Sequence, residues 1–355
     1  MMAPTPGGRC AMTTLPRRVS NPPNPWASAH VEWLGEPPPV ALEVFEEESH
    51  SIVATNDSPD VGFDFSVNPY RGCQHACAYC YARPTHQYLD LGAGTDFDSK
   101  IVVKKNAPEL LRRELAARRW SRGRATIAFS GVTDCYQPLE AAYELTRRCL
   151  EVCHEFRHPV AIITKGALVR RDAELLARMA KRGGAHVSVS IPFANDEDAR
   201  KIEPLASSAS TRFETIHRLV ETGVPVGVAL APLIPGLNDF QVPEILERAR
   251  QAGASSAFLV LLRLPAEVRP VFEERLRACF PERAEKVLSA LREMRGGALY
   301  RSAFGKRMHG EGPRWEAVQQ LFRLQCRRLG LEHDLRFGTD EPRTPVARQL
   351  DLFGK

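Results

Sequence analysis

The chain reads as an α/β fold built from six strand–helix units. Three observations predict it. Short runs rich in β-branched and apolar residues recur between residues 65 and 262, amphipathic helical stretches lie between them, and the two alternate without a break. Alternation of strands with helices of this length argues for parallel strands joined by right-handed crossovers.

In order, the predicted strands are Phe65–Asn68, Ala125–Ser130, Val160–Thr164, His186–Ile191, Val224–Leu230 and Ala257–Leu262. The predicted helices between them are Ala107–Arg119, Leu139–Phe156, Asp172–Lys181, Thr211–Glu221 and Val242–Ala252. Pro138 marks the start of the second helix. The fourth strand alternates strictly: Ser188 and Ser190 share one face, and Val187, Val189 and Ile191 the other. Beyond the sixth strand, Pro270–Cys279, Arg283–Arg295 and Trp315–Leu329 read as a helical extension over 266–332, a cap or lateral wall. The Gly/Arg-rich link Gly296–Gly312 inside it is a candidate substrate loop. The core unit is expected over 51–265. Residues 1–50 carry nine prolines and end in the acidic run Glu46–Glu48, so they are expected as a disordered or extended arm. Residues 333–355 are expected as a tail.

With 355 residues, 43% of them hydrophobic, the chain can bury a large core. Its net charge of +5 permits an anionic partner without demanding one. Residues 1–30 lack the apolar segment of a signal peptide. The longest purely apolar run, Ala257–Leu262, is far too short to span a bilayer. Nine cysteines follow no pairing pattern, so the thiols are expected reduced and the protein cytoplasmic, with no membrane partner.

Three of those cysteines carry the strongest signal. Cys73, Cys77 and Cys80 lie in Asn68-Pro-Tyr-Arg-Gly-Cys-Gln-His-Ala-Cys-Ala-Tyr-Cys-Tyr81, a C-x3-C-x2-C spacing with Tyr79 before the last cysteine. The loop follows the first predicted strand, where α/β barrels place their active sites. Three thiolates hold three irons of a [4Fe–4S] cube and leave the fourth open to a small molecule, whereas an electron-carrying cluster has four cysteines. The alternative is a structural zinc site completed by His75 or His86.

The spacing resembles the cluster motif of the radical S-adenosylmethionine (SAM) superfamily. Strings downstream resemble its branch related to spore photoproduct lyase: Thr133-Asp-Cys-Tyr-Gln-Pro-Leu-Glu140, Thr164-Lys165, Ser188-Val-Ser-Ile191, Glu203-Pro204 with Ser208 and Arg212, and Ala231-Pro232. The resemblance covers about residues 50–265. It implies a partial (β/α)6 barrel, a [4Fe–4S] cluster and SAM as cofactors, and an electron donor such as a flavodoxin or ferredoxin. It also implies reductive cleavage of SAM to a 5′-deoxyadenosyl radical that abstracts hydrogen from a substrate.

On this reading Tyr79 packs near the adenine, and Ser130, Thr133 and Asp134 lie where the superfamily contacts the SAM amino group. Lys165 pairs with the SAM carboxylate as a point charge, and Ser188 and Ser190 suit a ribose or carboxylate. Arg212 completes the set. Each has a plainer alternative: a surface lysine, ordinary strand alternation, a helix-capping Asp134, a solvated Arg212. Cys135 falls on the predicted rim as a candidate hydrogen donor, or as a small buried hydrophobe. The related lyase's donor cysteine falls on Gly131 in an ungapped match, which sets thymine-dimer repair apart from this chain. Cys149, Cys153, Cys279 and Cys326 read as packing residues. Arginine clusters at 112–124, 147–148, 170–171 and 323–328 are either a phosphate-tracking surface or solvated helix faces. No interleaved aromatic platform is evident.

Overall fold

The computed structural model describes residues 41–117, 120 and 125–333. Its strands are β1 (Glu43–Glu47), β2 (Val53–Thr55), β3 (Phe65–Val67), β4 (Tyr70–Arg71), β5 (Lys100–Lys104), β6 (Ile127–Phe129), β7 (Val160–Thr164), β8 (Ala185–Ser190), β9 (Val226–Leu233) and β10 (Ser256–Leu261). Its α-helices are α1 (Thr95–Ser99), α2 (Ala107–Leu115), α3 (Glu140–Tyr143), α4 (Leu145–Glu155), α5 (Ala173–Ala180), α6 (Asp196–Ile202), α7 (Ala209–Glu221), α8 (Val242–Gln251), α9 (Val268–Cys279), α10 (Ala284–Glu293) and α11 (Pro313–Leu329).

The six predicted strands are β3, β6, β7, β8, β9 and β10, and they pair in parallel in sequence order. No strand is inserted between earlier ones. Every right-handed crossover therefore runs the same way round the sheet, which curls rather than forming a doubly wound layer. Antiparallel β2 closes one edge, and β10 and β2 are not paired with each other. This is the open, partial barrel expected.

Two features depart from the sequence reading. The predicted helix Leu139–Phe156 breaks at Glu144, whose φ is +51°. The cause is Glu140: its carboxylate turns back to accept the backbone N–H groups of Thr146 (2.9 Å) and Arg147 (3.2 Å), which starts α4 afresh. The second departure is a three-stranded sheet, β1-β5-β4. Residues 43–47 of the expected arm are thus a strand parallel to β5, and the acidic run is not loosely draped. Its charges face bases: Glu46 lies 3.3 Å from Lys105 and Glu47 3.9 Å from Arg71. Arm residues 1–40 and tail residues 334–355 lie outside the described residues.

The extension is built into the barrel. Helix α11 packs on α8, burying Trp315, Val318, Phe322 and Cys326, and Glu332 pairs beside the start of β10. The Gly296–Gly312 link bridges the open edges. Met308 accepts from the backbone of Leu261 at the end of β10 (3.3 Å). Asp60, between β2 and β3, receives Arg307 Nε and the Gly305 N–H, each at 2.6 Å. Because Trp315 is 3% exposed in a core shared by extension and barrel, Trp315→Ala should cost about 3–5 kcal/mol. Denaturant unfolding followed by circular dichroism checks this. The expected result is one earlier transition; a separate early transition of the extension alone would count against it.

Candidate active site

The cysteine loop leaves β3 at the C-terminal edge of the sheet and is pinned from three sides. Towards β5, the Cys73 N–H donates to the Phe97 carbonyl (2.9 Å). Gly72 adopts φ +79°, and a Cβ there would lie 2.8 Å from the His86 ring and 2.9 Å from Ile101. A side chain is therefore excluded by packing as well as by backbone conformation. Towards the β6 loop, Gln74 is held at both ends: its N–H donates to Gln137 Oε1 (3.0 Å), and its Oε1 accepts from the Leu139 N–H (2.8 Å). Towards the end of α6, the Ala78 N–H donates to Ile202 and the Leu205 N–H to His75. Sequence reasoning missed Arg83. It is fully buried and donates to the carbonyls of Cys77, Ala93 and Gly94, and to Asp98 at 2.8 Å.

Cys73, Cys77 and Cys80 are free thiols and are buried or nearly so. Burial pushes the Cys77 thiol well up and Cys80 to about 11, and the neighbouring cysteines push further in the same direction. Three soft donors held together in a dry loop suit a polynuclear cationic core that takes them as thiolates. The zinc alternative would take the same thiolates and needs a fourth ligand. Among the described residues no three His, Cys, Asp or Glu side chains are grouped to hold a single metal ion. The candidate fourth ligands are also engaged elsewhere: His75 Nδ1 lies 3.3 Å from Asp134, and His86 Nε2 2.8 Å from the Lys100 carbonyl.

Across the strand ends lie the other expected residues. Lys165 Nζ donates to Ser190 Oγ (2.9 Å), lies 3.9 Å from Glu203 and sits 5.6 Å above the Tyr79 ring. Burial lowers its pKa, and the nearby Cys77 works against that. It is not the exposed lysine of the plainer reading. Tyr79 donates its hydroxyl to Glu203. Ser188 is buried and shares the strand face of Ser190, which donates to the Ala231 carbonyl (3.0 Å). Lys165, Ser190 and Tyr79 thus converge beside the cysteine loop, and they can offer a cation, a hydroxyl and an aromatic face to a charged, ring-bearing cofactor.

Other expected contacts resolve differently. Both Asp134 oxygens are occupied, by Thr164 Oγ1 (2.6 Å), the Lys165 N–H (2.7 Å), the Tyr136 N–H (2.9 Å) and His75. A carboxylate has about four acceptor directions, so Asp134 has none left for an amino group; it positions the loop and the end of β7. Arg212 is neither solvated nor open to a cofactor: it donates to Glu203 (2.5 Å) and to the carbonyls of Ser190 (2.9 Å) and Ser207 (2.7 Å). Thr133 donates to the Tyr70 carbonyl, and Ser208 caps α7. Ser130, at φ +78°, accepts from the Cys135 N–H (3.0 Å). Cys135 is fully buried in the hydrophobic core, as are Cys149 and Cys153. Its wholly buried thiol fits the plainer reading of a small packed hydrophobe. Glu203 received no role from sequence, yet it joins Tyr79, Lys165 and Arg212.

The family model of the radical SAM superfamily matches residues 67–249, just over half of the chain, and the chain belongs to that superfamily. An uncharacterised protein of Mycobacterium tuberculosis is 37% identical over 222 residues, 62% of this chain and 65% of the relative. A radical SAM Nα-GlyT isomerase of Pseudomonas phage M6 is 26% identical over 271 residues, 75% of this chain and 52% of that one. The chain therefore spans about two thirds or less of the length of these curated relatives. Spore photoproduct lyase complexed with dinucleoside spore photoproduct has the same fold, with a TM-score of 0.60 at 14% identity over 82% of this chain and 81% of the lyase. The cofactors of that superfamily are a [4Fe–4S] cluster and SAM. No helix among the described residues is long and apolar enough to cross a membrane.

The burial of Arg83 makes a direct prediction. Arg83→Met leaves Asp98 and three carbonyls of the loop wall unpaired. It should destabilise the cofactor-free protein by about 3–5 kcal/mol, read as a lowered urea midpoint. Arg83→Lys should recover little, because one ammonium cannot reproduce the guanidinium fork. An unchanged midpoint in Arg83→Met would refute the structural weight given to this residue.

Proposed function

We propose that Cys73, Cys77 and Cys80 hold the cluster, that Lys165, Ser190 and Tyr79 hold SAM, and that the enzyme abstracts hydrogen from a substrate entering at the neighbouring rim. The observation that carries this reading is the three-sided pinning of a three-thiol loop directly beside a buried lysine. When bound, the cluster and SAM supply reductive cleavage of the S–C5′ bond and a 5′-deoxyadenosyl radical. The chain supplies the rest. Lys165 neutralises a carboxylate, Ser190 holds the Lys165 ammonium in place, Glu203 fixes the Tyr79 ring, and burial excludes water. An external one-electron donor, such as a flavodoxin or ferredoxin, is the partner this chemistry requires.

Anaerobic reconstitution with iron and sulfide tests the reading. The wild type should hold about four irons and four acid-labile sulfides and release 5′-deoxyadenosine on reduction with SAM. Each single change of Cys73, Cys77 or Cys80 to Ala should abolish both. Lys165→Ala and Ser190→Ala should keep the cluster and weaken SAM binding roughly ten- to hundredfold, the effect of one lost charge-assisted contact. Stoichiometric zinc without sulfide would sink the cluster assignment; unaltered SAM affinity would sink the other two.

A second reading, nucleic-acid lesion repair or modification by the same chemistry, is favoured by one feature of the rim. Tyr81 is 46% exposed, bonds the Gly131 carbonyl (2.8 Å) and lies under Arg263 (4.9 Å). Phe304 is 61% exposed and lies under Arg307 (4.7 Å). Arginine-backed aromatic faces can stack an unstacked base. The arginine clusters seen in sequence supply less: Arg112, Arg147 and Arg171 are paired with Glu155, Asp172 and Glu140, and residues 118–119 and 121–124 lie outside the described residues. Binding of a labelled single-stranded oligonucleotide should weaken as salt rises and fall about tenfold in Arg263→Ala. Salt-independent or absent binding would remove this reading. Spore photoproduct itself should not be repaired. Gly131 offers no S–H and the Cys135 thiol is buried, so reduced enzyme, SAM and the dinucleoside lesion should yield 5′-deoxyadenosine without restored thymines.

A further inference from the structure

Beyond the described residues the sequence carries one more concentrated apolar signal. From Gly338 to Arg348 the sequence is Gly-Thr-Asp-Glu-Pro-Arg-Thr-Pro-Val-Ala-Arg, with no apolar side chain larger than Val346. It is followed by Gln349-Leu350-Asp351-Leu352-Phe353. Three large apolar residues thus fall in four positions, after eleven that a core would not use. In an extended peptide Leu350 and Leu352 project to one side, Gln349 and Asp351 to the other, and Phe353 follows as a bulky stop. That is the pattern of a short linear ligand: apolar anchors for adjoining pockets, an amide for a polar rim and a solvated acid.

The structure shows where such a ligand would be presented. The last described pairing is made by Glu332, whose carbonyl accepts the Ala257 N–H (2.7 Å) and whose N–H donates to Ser255 (2.9 Å). Both lie at the start of β10, whereas the cysteine loop and the Tyr81 rim lie at strand C-terminal ends. At about 3.3 Å per residue, the six residues of β10 set this exit roughly 20 Å from the rim. Gln349 follows His333 by 16 residues, a stretch that can reach at most about 55 Å.

We propose that Gln349–Phe353 is a docking peptide for a partner protein with a preformed apolar groove that takes an extended Gln-Leu-Asp-Leu-Phe segment, the kind of groove carried by the ring-shaped sliding clamps of bacterial DNA replication. The proposal does not rest on the cluster or SAM assignments, and its test reads association alone.

The experiment mixes full-length reconstituted enzyme with a purified bacterial sliding clamp and measures complex formation by size exclusion with light scattering, and affinity by biolayer interferometry. The wild type should form a defined complex. The Leu352→Ala/Phe353→Ala double variant should bind at least tenfold more weakly, and Gln349→Ala several-fold more weakly. Asp351→Ala should bind as the wild type does. All variants should keep the wild-type thermal midpoint and basal 5′-deoxyadenosine formation. The proposal is overturned by no complex with the wild type, or by a complex that the double variant leaves intact. It is also overturned if the double variant lowers the thermal midpoint, because these side chains would then be packing on this chain, for instance in the groove lined by Phe258, Trp315 and Phe322.

Discussion

The Asp134 carboxylate is the junction on which the site depends. It is buried, it takes the Thr164 hydroxyl and the Lys165 and Tyr136 N–H groups, and it faces His75, which lies between Cys73 and Cys77. Burial alone would push its pKa up; His75 and the donors instead hold it well below the usual carboxylate range. Burial alone would likewise disfavour the imidazolium, but Asp134 and Cys73 raise His75 to about 10. The pair keeps both charges in a dry place and ties the cysteine loop to the end of β7. Lys165 begins where that tie ends, so its distance from the three thiols is set by one carboxylate.

Two further buried ion pairs frame this junction. Arg83 with Asp98 backs the cysteine loop, and Arg212 with Glu203 backs Tyr79 and Ser190. Buried pairs repay their desolvation poorly as sources of stability. Here each guanidinium also satisfies backbone carbonyls that the loops leave unpaired, so its contribution is placement: the fork fixes several carbonyls and one carboxylate in a single plane. The chain is therefore held by paired charges around the cysteine loop and around Tyr79. Its exposed aromatic rings, Tyr81 and Phe304, stand at the rim instead.

The bridge from β10 to the β2–β3 connection explains why an open sheet keeps a defined mouth. Asp60, buried under Arg307 and the Gly305 N–H, joins residues nearly 250 apart in sequence. A link that reads as a substrate loop from its glycines and arginines thus also acts as a clasp, and it carries Phe304 to the rim while doing so.

The six core strands, their order along the chain and the cysteine loop were legible in sequence, because period-two patterning, β-branched runs and cysteine spacing are local signals. The prolines before residue 40 masked the strand at Glu43–Glu47, whose acidic residues make sense only opposite Lys105 and Arg71. The break at Glu144 was equally hidden, since it follows from a carboxylate folding back on the next helix. Sequence by itself determined the class of chemistry: three thiols on one loop after the first strand, and Lys165 at the end of the third. Only the tertiary structure decided how these polar residues are partnered. Asp134 and Arg212 carry the right charges, but partners distant in sequence use their bonding capacity, whereas Lys165 and Ser190 face each other at the strand ends. Hydrogen-bond saturation depends on what long-range packing brings within 3 Å, and no local pattern encodes that.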